Sequence, residues 1–313
     1  MPRCILRPRP TPAAPSCRTL AMGLLLAPAL LFAPAQGSGQ QSGGAEAEAT
    51  VPQTFDWHLD RTIPETTPWG QAVDTAGTRM ILSWTTMPEY TSELVDHLID
   101  HPTVVSPAEH FGHPVGMPGV LHRVGEIYDY FEALSASSPR VHFDLLGETE
   151  EGRNLALVKV GSEANLARLE EIKEGLNKLA DPRNTTPEEA ERLISELPAI
   201  YTFYAGLHSP ETGPPEMVME MTYRLAVSDH PVIREIRENA VVFIVPVAEP
   251  DGRDKVVDWH RRYNGEVYES SDRVPGPPYW GKYIFHDNNP VSYTHLTLPT
   301  RSCQCSCRGG GVG

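Results

Sequence analysis

The chain has 313 residues, 40% of them hydrophobic and 21% charged, with a formal net charge of −15. That length allows one large domain or two small ones, and the composition suits a folded globular protein. So acidic a balance argues against general nucleic-acid binding, because phosphates are repelled.

The first element is a leader. Arg3, Arg7, Arg9 and Arg18 precede an apolar core from Leu20 to Phe32, and Ala33-Pro34-Ala35 is an A-x-A cleavage signature. Residues 1–35 therefore read as a secretory signal peptide, too short and wrongly flanked for a spanning helix. The expectation is an exported protein, periplasmic or extracellular, without stable membrane insertion. Residues 36–50 (QGSGQQSGGAEAEAT) read as a flexible polar leader. Residues 51–117 carry Trp57, Trp69, Trp84 and a helical patch at SELVDHLIDH (92–101), and read as an N-terminal extension wrapping the main domain.

The domain itself is expected to begin at Pro118. PGVLHRVGEIYDYFEAL (118–134) carries an apolar stripe at Val120, Val124, Ile127, Tyr128 and Phe131, with proline where helix starts tolerate it. Two strands are predicted at 140–146 and 154–161, joined by GETEEGR, whose simplest reading is a solvated turn. An amphipathic helix follows at 165–180, and Thr186 with Glu189 three residues on forms a capping-box signature for another. AIYTFYAGL (199–207) reads as a buried strand, Pro214-Pro215 opens a helix to about Val227, and NAVVFIVPV (239–247) is a second buried strand. Near-continuous apolar strands separated by helices predict an α/β domain with a mostly internal sheet. All five cysteines (Cys4, Cys17, Cys303, Cys305, Cys307) lie near the ends, so the body between them folds without a disulfide.

From Val291 the sequence reads VSYTHLTLPT and then RSCQCSCRGGGVG, with no continuing periodicity. The codons GTC TCT TAT ACA CAT CTG ACG CTG CCG ACG would encode the first ten of these residues, and that run of bases matches a transposon adapter used in sequencing libraries. The expectation is that the natural sequence stops at Asn289 and that residues 290–313 are adapter read-through. The alternative is a natural Cys-rich tail with weak metal affinity.

HSPETGPPEM (208–217) holds the clearest chemistry. It follows a predicted buried strand, where α/β proteins bind ligands. The rigid Ser209-Pro210 turn can bring an imidazole and a carboxylate to one point, and both are good zinc donors. A catalytic zinc needs three protein ligands and an open position, and His208 and Glu211 supply two. Taken alone, H-x-x-E is also an ordinary loop before an ordinary helix. The pairs His110/His113 and His97/His101 have metal-like spacing but lack a supporting constellation.

Four segments in order resemble the metallocarboxypeptidases of the carboxypeptidase A type, in their bacterial branch. They are GETEEGR (147–153), HSPETG (208–213), VVFIVPVAEPDGR (241–253) and FHDNN (285–289), within a similarity spanning about 105–289. The resemblance implies a mixed sheet between helices, of which this chain holds the N-terminal part, 118–289 being a partial catalytic domain. It implies one Zn2+ ion, peptide or protein C-termini as partners, and hydrolysis by metal-activated water with a glutamate as general base. Residue by residue, it makes His208 and Glu211 the first two metal ligands and Asn289 a binder of the substrate's terminal carboxylate. It offers Arg261 or Arg262 for the oxyanion, and leaves Arg253 structural. Glu249 stands where the family has asparagine. The third zinc ligand and the general base fall beyond Asn289, so this chain is expected to be inactive and to bind zinc poorly. Two alternatives keep the fold: a catalytically dead peptide-binding member, or an amidase acting on cell-wall peptides.

Overall fold

A computed structural model describes residues 61–263, 276 and 278–282. The leader, the tail, Asn289 and Pro290 lie outside the described residues.

The extension is built around α1 (Thr75–Trp84), capped by Asp74, whose carboxylate accepts from Gly77 N at 2.9 Å. A short 3-10 turn (Pro88–Tyr90) and α2 (Pro107–Phe111) follow, the latter closed by a reciprocal Ser106/Glu109 capping box. The helical patch expected at 92–101 is not a helix. Ser92 starts a single turn, and then Ile99 forms an antiparallel bridge to Val73, with Asp74 N donating to Leu98 O and Asp100 N to Ala72 O. Thr78 Oγ1 takes the Leu98 N–H at 2.9 Å, so tertiary partners claim the amides a helix would need.

The next helix, α3 (Val124–Ser137), begins six residues later than its apolar stripe suggested. Pro118 and Gly119 occupy the middle of a turn closed by Val120 N to Met117 O, and Gly119 has φ of 78°. Proline followed by a positive-φ glycine is type II turn chemistry, which a helix cannot include. The true start is fixed by a distant group, with Val124 N donating to Asp254 at 2.9 Å, and by a local one, with Arg123 N donating to Glu126 at 2.6 Å.

A hairpin of β1 (Val141–Glu148) and β2 (Asn154–Val160) comes next, then α4 (Glu163–Ala167) and α5 (Leu169–Ala180). The helix expected at 165–180 is thus two pieces parted at Arg168. In α6 (Pro187–Glu196) the Thr186 cap is present, but Glu189's carboxylate turns to Lys178. The remaining elements are β3 (Ala199–Tyr204), α7 (Gly213–Val227), α8 (Pro231–Asn239), β4 (Ala240–Val245) and α9 (Pro250–Tyr263). Neither α8 nor α9 was expected.

The described strands form a mixed sheet in the order β1-β2-β4-β3, antiparallel except for β3 beside β4. Side chains alternate along β4. Val242 and Ile244 join the core under α3 and α7, with Ile127, Phe131, Leu134, Met219 and Tyr223. Val241 and Phe243 point the other way, against Leu166, Leu169 and Ile172 of α4 and α5. Helices on both faces explain the apolar runs. The expectation that 199–207 is fully buried holds only in part. Among the described residues β3 is an edge strand, and Tyr201 and Tyr204 are about half exposed.

Candidate metal centre

The site sits at the carboxyl ends of the parallel pair β3 and β4, whose ladder continues past both strands. Ala205 N donates to Val245 O at 3.0 Å, and Ala248 N to Ala205 O at 2.8 Å, which sets 205–212 beside 248–253. Gly206 then turns the chain with φ of 58°, and a Cβ there would lie 2.8 Å from Pro215 Cγ. Both the backbone angle and the space require glycine.

After that turn, Glu211 N donates to His208 O and Thr212 N to Pro210 O, each at 2.9 Å. The result is a tight loop that places His208 Nδ1 3.6 Å from Glu211 Oε1. The His208 side chain is 31% exposed and that of Glu211 52%, so both are reachable from solvent. An imidazole nitrogen and a carboxylate oxygen brought this close, on one side of a rigid turn, form two-thirds of a zinc donor set. Among the described residues no group of three or more His, Cys, Asp or Glu is placed to hold a metal. The donor chemistry therefore fits zinc as two of the three protein ligands a catalytic site needs.

The histidine pairs in the extension have other surroundings. His97 Nδ1 lies 2.8 Å from Asp96, while His101 Nδ1 accepts from the Thr103 and Val104 amides. His113 stacks on Phe111 and on His122, and His110 meets Tyr130 edge-on.

Behind the loop lies a buried polar cluster. Glu216, in the first turn of α7, accepts from His122 N at 2.8 Å, meets His122 Nδ1 at 2.7 Å, and pairs with Arg253 of α9. Arg253 is 1% exposed and spends its other donors on His122 O and on Thr212 O at 3.0 Å. This is the structural role expected of it. Sequence reasoning did not single out Glu216, because its partners His122 and Arg253 lie 94 and 37 residues away along the chain.

GETEEGR is more than a solvated turn. Thr149 Oγ1 donates to Asp251 at 2.7 Å, Arg153 Nη1 to Asp251 at 2.9 Å, and Arg153 Nε to Asp254 at 2.8 Å. The hairpin loop thus docks the start of α9. Burial, the largest influence, lowers the Arg153 pKa, but hydrogen bonds to Glu151, Asp251 and Asp254 outweigh it and hold it above its ordinary value.

The two arginines considered for an oxyanion differ in their commitments. Arg261 donates to Leu121 O and to Glu126 of α3, at 2.8 and 2.6 Å. Burial pushes Glu126 up, but the Arg261 guanidinium and the Arg123 amide outweigh it and hold the carboxyl below its usual range. Arg262 lies over the Tyr263 ring, 5.6 Å from its centroid.

Comparison with known proteins follows the same segment. Residues 127–271 match the family model described as zinc carboxypeptidase. No curated protein matches the chain. Among solved structures, a metallo-carboxypeptidase of Burkholderia cenocepacia is 20% identical, covering 45% of this chain and 29% of that one, with a TM-score of 0.29. Carboxypeptidase A of Helicoverpa armigera is 18% identical over 43% and 26%, also with a TM-score of 0.29. Bovine thrombin-activatable fibrinolysis inhibitor, in complex with tick carboxypeptidase inhibitor, is 16% identical over 50% and 41%, again with a TM-score of 0.29. The chain spans well under half the length of each.

Proposed function

Residues 127–271 belong to the zinc carboxypeptidase family, and from that premise we propose that their domain removes C-terminal residues from peptides by zinc-assisted hydrolysis. The observation that carries the reading is the His208–Glu211 pair, 3.6 Å apart at the mouth of β3 and β4 and inside the family-matched segment. These two residues would hold the ion. Zinc supplies Lewis-acid polarisation of a scissile carbonyl and acidifies a water toward neutral pH.

This chain's own residues do the orienting. The Ser209-Pro210 turn and the Gly206 bend aim both donors outward from the sheet. Arg261 is engaged with α3, which favours Arg262 as the oxyanion partner, and Asn289 is the candidate for the substrate's terminal carboxylate. A guanidinium suits either oxyanion or carboxylate because its planar fork donates two parallel hydrogen bonds. The leader at 1–35 supports export, so the substrates are peptides outside the cytoplasm.

With two ligands among its described residues, the 313-residue chain is expected to bind zinc weakly and to leave peptides uncut. The gene read past Asn289, expressed with zinc, is expected to shorten peptides one residue at a time from the C-terminus, followed by mass spectrometry. His208→Ala should abolish both the shortening and the bound zinc measured by metal analysis. Zinc content and trimming unchanged in that variant would overturn the reading.

A further inference from the structure

The metal turn is held by the residues that open α9. Ser209, between the two metal ligands, is 4% exposed and donates its hydroxyl to Glu249 Oε2. The other oxygen, Glu249 Oε1, accepts from Gly252 N at 3.1 Å, at the positive end of α9. One carboxylate therefore ties the middle of the metal turn to the start of a helix that is itself fixed. That helix is anchored through Asp251 and Asp254 to the hairpin loop and through Arg253 to Thr212 O.

The fit leaves no slack. A Cβ at Gly252 would overlap both Ser209 Oγ and Glu249 Oε2. Glu249 follows β4 and Ser209 follows β3, and the extended ladder through Ala205 and Ala248 sets their backbones side by side before either side chain is placed. Where the resembling family carries asparagine, this chain has a side chain one methylene longer, with two acceptor oxygens. It can therefore accept from a hydroxyl and an amide at once.

We propose that Glu249 is the positioning residue of the metal pair. By pinning Ser209, it fixes the separation of His208 and Glu211 before a divalent metal arrives, so the donors need no reordering on binding. Partners behind metal ligands commonly change affinity by about 10–100-fold when removed. The inference rests on the reading of His208 and Glu211 as metal ligands, and its test separates the two.

The experiment uses the full 313-residue chain with all five cysteines (Cys4, Cys17, Cys303, Cys305 and Cys307) changed to Ser, so that no thiol competes. Zn2+ affinity is measured by calorimetry, the Co2+ visible spectrum reports ligand geometry, and urea midpoints report folding. Glu249→Ala and Ser209→Ala are each expected to weaken Zn2+ by about tenfold or more and to alter the cobalt bands, with urea midpoints preserved for Ser209→Ala. Glu249→Gln keeps an acceptor for Gly252 N and a polar partner for Ser209, and should restore affinity to within about threefold. If His208→Ala loses the metal while Glu249→Ala and Ser209→Ala bind as the parent does, the positioning role is overturned and the ligand pair stands. If His208→Ala itself binds unchanged, the ligand reading fails and takes this inference with it. Should Glu249→Ala fail to fold, Ser209→Ala alone decides, since it removes one hydroxyl and no charge.

Discussion

His101 shows how a single side chain can be tuned by its setting. Burial lowers its pKa from the ordinary 6.5, Arg140 lowers it further, and Asp229, Asp100 and Glu109 oppose. Nδ1 also accepts two backbone amides, from Thr103 and Val104, which a protonated ring cannot do. The fold therefore holds the ring neutral, whereas the unfolded chain titrates normally. Its stabilising contribution is present above pH 6.5 and is lost as pH falls from there through the depressed folded value. Urea midpoints should decline between pH 7 and 5, and His101→Asn, with an oxygen in place of Nδ1, should flatten that decline. It should not abolish it, because His260 is lowered too, by burial first and then by Arg253 and Arg261. At this scale the His208–Glu211 turn was legible because two donor types stood at a spacing a rigid turn can use. Glu216 and Glu249 looked like ordinary surface acids, since nothing local reveals a partner forty residues away.

Among elements, α9 ties the site together. Its N-terminal residues meet the hairpin loop through Asp251 and Asp254, the His208–Glu211 turn through Arg253, and α7 through Glu216. The Glu216–Arg253 pair is almost wholly buried, with side-chain exposures of 8% and 2%. Removing one partner leaves the other charge stranded, which costs about 3–5 kcal/mol. Glu216→Ala is expected to lose that much in urea unfolding, and adding Arg253→Met should recover part of it. A double-mutant cycle that closes additively would show that the two do not interact. Helix α9 was not foreseen because proline, aspartate and glycine at 250–252 read as turn residues. They begin the helix because Glu249 caps it and the hairpin loop holds Asp251. Likewise α3 starts late and 92–101 is a turn and a bridge rather than a helix because distant groups, Asp254 and Thr78, take up the amides.

For the molecule as a whole, the described body contains no cysteine, the nearest ones being Cys17 and Cys303. Its stability must come from the two apolar layers on either face of the sheet. A reductant should therefore leave the thermal midpoint unchanged, and a fall of several degrees on adding dithiothreitol would contradict this. What the sequence determined by itself was whatever repeats locally or stands at short range: the four strands, the proline-led α7, the Thr186 cap and the His208–Glu211 turn. Only the tertiary structure decided where α3 begins, that Ile99 bridges to Val73, that β3 lies at an edge of the described sheet, and that Glu249, Arg253 and Glu216 stand behind the His208–Glu211 turn. The reason is physical. Periodicity and turn chemistry act between neighbours along the chain, but a buried charge or a backbone amide is satisfied by whichever group the folded sheet brings alongside it.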